Sequence, residues 1–124
     1  MNAYYQLVLQ RPLAGFANEL FLPELYREQR RLDPLLLARG QLPIRRFVCP
    51  LACDERQGEW LDCWFDAQSG WRLVHSIVSL VHGRALELPR RDELLSELFA
   101  LGERLDVARL AAIHWQFGLE LEFA

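Results

Sequence analysis

Apolar and polar positions change period several times along the chain, and each change marks an expected element. Ala3 to Leu9 is rich in aromatic and β-favouring residues and runs into Arg11-Pro12, which predicts a first strand. From Phe16 to Arg39 the spacing turns helical. Pro23 and Pro34 interrupt it, and because proline is tolerated in a first turn but not in a helix interior, each is expected to open a new helix. Leu22, Leu25, Gln29 and Leu32 line one side of the middle piece, Glu28 and Arg31 can pair on another, and Gly40 is the expected stop.

Residues 44–53 and 59–66 flank the polar loop Asp54-Glu-Arg-Gln-Gly58, a pattern that predicts a hairpin. With Cys53 facing Glu59, an antiparallel register sets Leu51 against Leu61, Cys49 against Cys63 and Phe47 against Phe65 on one face. The other face then carries Arg46 opposite Asp66 and Val48 opposite Trp64. A slip of one residue would turn the whole apolar set over, so the pattern selects this register.

After Gly70 the polar residues Arg72, His75, Ser76, Ser79 and His82 recur at helical spacing and Gly83 follows, which predicts a helix despite the β-branched content. Ala85 to Leu88 is a candidate short edge strand. Pro89 to Leu105 is amphipathic, with Leu94, Leu95, Leu98, Leu101 and Leu105 inward and Asp92 and Glu93 near its start. Asp106 is expected to cap a further helix to about Gln116, and Leu119 to Phe123 alternates like a last strand. The expectation is one α+β domain over residues 1–124: a small antiparallel sheet containing a central hairpin, packed against about four helices.

Composition narrows the function classes. The chain has 124 residues, 52% hydrophobic and 25% charged, the profile of a folded domain and not of a disordered segment. It contains no lysine, and all 14 basic residues other than histidine are arginine. Schiff-base chemistry, pyridoxal phosphate sites and Walker-type phosphate loops all require a lysine amine, which a guanidinium cannot replace. The formal net charge of −3 argues against general nucleic-acid binding. The doublets Arg30-Arg31, Arg45-Arg46 and Arg90-Arg91 have acids nearby in sequence and are read as salt-paired, solvated faces. Met1 to Gln10 lacks the basic-then-apolar pattern of a secretory signal, no run approaches the roughly 20 apolar residues of a membrane span, and three cysteines suit a reducing compartment. A cytoplasmic protein is expected.

Candidate chemistry is sparse. A zinc site would need Cys49, Cys53, Cys63 and a histidine to converge, but the hairpin register separates Cys53 from the other two by ~13 Å at about 3.3 Å per residue. The cysteines are read as small hydrophobes, and neither metal nor cofactor is expected. His75, Ser79 and His82 share a helix face, yet the histidines lie seven residues apart, ~10.5 Å at about 1.5 Å per residue, too far for a zinc pair. That face could serve a small enzyme or ligand-binding domain, although no nucleophile turn or orienting carboxylate accompanies it. His114, beside Trp115, is read as half-buried. The two helices expected between Asp92 and Gln116, with Gly102 near their junction, weakly resemble helix-turn-helix geometry, but the second offers only Arg109, His114 and Gln116 to bases, so a DNA-binding regulator ranks third.

The leading candidate is the strand Glu59–Asp66. With Leu61, Cys63 and Phe65 inward, Trp60, Asp62, Trp64 and Asp66 face the other way, flanked by Asp54 and Glu55. Tryptophans are enriched at interface centres, and carboxylates around them select a basic partner. The expectation is a non-catalytic protein that binds, and neutralises or escorts, a basic protein partner such as a toxin or effector.

Overall fold

The computed structural model describes residues 2–16, 19–48, 64–83 and 86–122. Strand β1 (Asn2–Leu9) is central in a three-stranded antiparallel sheet, between β2 (Phe21–Leu22) and β3 (Trp115–Glu122). The register with β3 sets Tyr5 opposite Leu119, Leu7 opposite Phe117 and Leu9 opposite Trp115, all on the face that meets the helices. Tyr5, Leu7, Trp115 and Phe117 are buried there, as the two-residue period of a half-buried sheet requires.

Three helices cover that face: α1 (Pro23–Ala38), α2 (Ala67–His82) and α3 (Arg91–Leu110). The architecture is α+β, with three helices among the described residues where about four were expected. Each difference has a local cause. Among the described residues no helix precedes Pro23, because Leu20 accepts the Leu7 N–H and Phe21-Leu22 pair with β1. Pro23 at the first helical position also disfavours helical dihedrals in Leu22. Pro34 opens no new helix. Leu32 and Leu36 on either side of it are fully buried, while Pro34 and Arg30 are exposed, so the Arg30 carbonyl that proline leaves without a donor faces water.

The break expected near Gly102 is also missing, and α3 runs unbroken to Leu110. Gly102 instead allows α3 to approach α2, since a β-carbon there would lie 3.3 Å from Val74 Cγ1. Asp106, expected as a cap, lies inside α3 and pairs with Arg109. The helix ends where Ala112 adopts φ 56° and the Ile113 N–H returns to the Ala108 carbonyl. The chain beyond it becomes β3, so the helix pair on which the helix-turn-helix likeness rested is replaced by one helix and a strand.

The expected hairpin lies in part outside the described residues. Where it is described, Ile44–Phe47 forms a 3-10 turn in place of a strand, with Pro43 before it and the Ile44 N–H donated to Asp33 Oδ1 at 2.6 Å. Val48 and Phe65 then bridge to β3, at Phe117 and Trp115, and β1, not the hairpin, occupies the sheet's centre. Phe47 and Phe65, expected as cross-strand neighbours, do meet edge to face with ring centroids 5.0 Å apart. Residues 86–88, part of the candidate edge strand, carry no regular structure. None of the described helices is long and apolar enough to cross a membrane.

Candidate functional site

The 64–66 segment is held by Trp115. This indole is fully buried, stacked on Phe47 with centroids 5.2 Å apart and edge to face with Phe117 at 4.8 Å. Trp115 and Phe65 exchange both backbone hydrogen bonds at 2.9 Å, and the indole N–H donates to the Asp66 carbonyl at 2.9 Å. Asp66 then starts α2: its Oδ1 accepts the Ser69 N–H at 2.8 Å while Ser69 Oγ donates to the Asp66 carbonyl at 2.7 Å. Gly70 in the same turn lies directly against the indole.

Phe65 therefore packs against the core, on Phe47 and Trp115. Asp66 is exposed, but its carboxylate is engaged as the helix cap. Trp64 is half-buried, with its Nε1 shielded from solvent and without a hydrogen-bond partner. The antiparallel register places Trp64 beside Gln116, whose Oε1 is likewise buried and unpartnered. Trp60, Asp62, Asp54 and Glu55, together with Cys49, Cys53 and Cys63, lie outside the described residues.

His75, Ser79 and His82 are all exposed on the outer face of α2. His75 lies against Trp71, one turn earlier, at 4.0 Å between ring centroids, and the Arg109 guanidinium lies 5.1 Å from the Trp71 ring. This Arg109, Trp71 and His75 cluster across α2 and α3 was not singled out from the sequence, although Trp71 and His75 have helical i, i+4 spacing. His114, expected half-buried, is exposed; the buried member of that pair is Trp115. Among the described residues, no group of three or more His, Cys, Asp and Glu side chains converges as a metal site.

The buried polar groups tie elements together. Glu97 on α3 accepts the Glu24 and Leu25 N–H groups at 2.9 and 3.0 Å, capping α1 from a different helix. Burial raises the Glu97 pKa above its ordinary 4.5, a rise that these two hydrogen bonds oppose. Tyr5 donates to Gln29 Oε1, and burial, aided by the charge of Asp33, pushes its phenol well above the usual tyrosine range. One arginine of each doublet is salt-paired: Arg31 reaches Glu28 at 3.6 Å, while Arg45 reaches Asp33 at 3.5 Å and Arg90 reaches Glu24 at 3.3 Å, both distant in sequence. These acids are buried beneath exposed guanidinium groups.

No protein-family model matches the chain, and neither the curated proteins nor the solved structures give a match.

Proposed function

We propose that this chain is a non-catalytic interaction protein that binds a basic protein partner through the segment 54–66, in the manner of a protein that neutralises a toxin or escorts an effector. The alternation of Trp60, Asp62, Trp64 and Asp66 carries the reading. The packing of Phe65 on Trp115 beside the exposed Asp66 supports it, since neighbouring residues of an extended segment alternate in facing. Since the Asp66 carboxylate is already engaged by Ser69, the charge that selects the partner falls to Asp54, Glu55 and Asp62. Rigid indoles supply the buried contact and the carboxylates set partner choice and association rate.

The test is co-expression with the product of the neighbouring gene and titration calorimetry of the purified pair at two salt concentrations. The triple substitution Asp54→Asn, Glu55→Gln and Asp62→Asn is expected to weaken the complex by about tenfold and to flatten its salt dependence. Unchanged affinity and unchanged salt dependence in a variant with wild-type thermal stability would remove the segment from the interface.

A further inference from the structure

A pocket of about 200 Å³ opens between the end of β1, the loop that follows it and α3. Its wall is mostly apolar, from Val8, Leu13, Phe16 and Leu20, and two guanidinium groups, Arg11 and Arg104, share the lining; among the described residues no carboxylate does. This is the usual make-up of a small-molecule site, an apolar body with a few polar groups that fix orientation.

Arg104 is the informative residue. Its guanidinium lies over the Phe16 ring, 5.2 Å from the centroid, and among the described residues no carboxylate approaches within ion-pair distance. Nη1 makes only a long bond of 3.3 Å to the Ala100 carbonyl of its own helix. Nε is shielded from solvent and has no hydrogen-bond partner. A cationic donor held this way costs free energy until an anion meets it. Arg11, by contrast, is exposed and anchored by its bond to the Ala111 carbonyl at 3.1 Å.

We infer that this pocket is a binding site for a small amphipathic carboxylic acid. The carboxylate pairs with Arg104, whose planar fork suits it, and Arg11 supplies the second positive charge. The apolar body packs among Val8, Leu13, Phe16 and Leu20. The volume equals about seven waters at about 30 Å³ each, room for an acid of benzoate size. The site is independent of the 54–66 segment, so either assignment can fail without the other.

The experiment is a ¹H–¹⁵N NMR titration of the whole chain with benzoate, benzyl alcohol and inorganic phosphate. Benzoate is expected to give saturable shifts of the Arg104 Nε–H signal and of the amides of Val8, Leu13, Phe16 and Leu20. Benzyl alcohol, with the same ring and no charge, should bind at least tenfold more weakly, as should benzoate to Arg104→Gln. Arg11→Gln is the second variant, because Arg11 is exposed and its loss leaves the core packing intact; its affinity for benzoate should also fall. Absence of saturable benzoate shifts overturns the assignment. So does phosphate binding as tightly as benzoate, which would leave the apolar wall without a role, or equal binding of benzyl alcohol, which would leave Arg104 without one.

Discussion

Replacing Gly70 with alanine tests whether the contact between α2 and the buried indole organises the core. A β-carbon at this position would stand 2.5, 2.6 and 2.7 Å from Cε2, Cζ2 and Nε1 of Trp115. Ordinary carbon contacts lie at roughly 3.5–4.0 Å, so helix and ring must part by about 1 Å. The ring has little freedom to yield, being stacked on Phe47, crossed by Phe117 and tied to the Asp66 carbonyl. Overpacking of a filled core costs about 1–3 kcal/mol, and sites that cannot relax reach or exceed the upper end. Alanine recovers up to about 1 kcal/mol of helix propensity, so the net loss should be about 2 kcal/mol.

Urea unfolding followed by far-ultraviolet circular dichroism should show the midpoint falling by about 1 M with the slope unchanged. Gly102→Ala is the control, since its β-carbon meets only Val74 Cγ1 at 3.3 Å and should shift stability by less than about 1 kcal/mol either way. In a Trp115→Phe background the fused-ring atoms are gone, and the cost of Gly70→Ala should shrink by about 1 kcal/mol or more. A Gly70→Ala chain as stable as the parent, or a cost that persists without the indole, would refute the reasoning.

Three further outcomes follow from the carboxylates that accept backbone N–H groups. Burial raises the folded-state pKa of Glu97, so its proton binds more tightly in the native chain; its contribution is fully present below pH 4.5 and is lost as pH rises through the folded value. Chemical denaturation across that window should show stability falling less steeply with rising pH in Glu97→Gln than in the parent. Asp33→Ala strands the Ile44 N–H at a buried position and should cost about 1–3 kcal/mol by the same assay. Asp66→Ala removes the α2 cap and should cost about 1 kcal/mol in thermal unfolding; no loss would return its carboxylate to the proposed partner surface.

Much of the framework was legible in the sequence because local chemistry and tertiary structure agree. The strand ending before Arg11-Pro12, the helix stopped at Gly83 and a last strand beyond Leu119 are all present, although Leu121, on the apolar face of the alternation, is exposed and Phe123 lies outside the described residues. The pattern also identified most of the inward residues of α3: Leu94, Leu98, Leu101 and Leu105 are fully buried, while Leu95 is half-buried. In the candidate segment, the sequence marked Phe65 as a neighbour of Phe47, and the two rings do meet. What it could not show is that the Asp66 carboxylate is held by Ser69 and its carbonyl by Trp115, 49 residues away.

Periodicity and turn chemistry, being local, determined the α+β class, the facing of the long helices and the end of the first strand. Position in the tertiary structure decided the rest. Trp115 follows a helix with no glycine stop and was read as helical, but pairing with Leu9 and Phe65 draws it into the sheet as the buried ring around which Phe47, Phe65 and Gly70 are arranged. Likewise Arg104, above Phe16 and with no carboxylate within ion-pair distance among the described residues, is an ordinary helix residue in the sequence. Only packing reveals its lack of a counter-charge, because pairing and burial depend on what the rest of the chain brings near, and a linear pattern does not contain that.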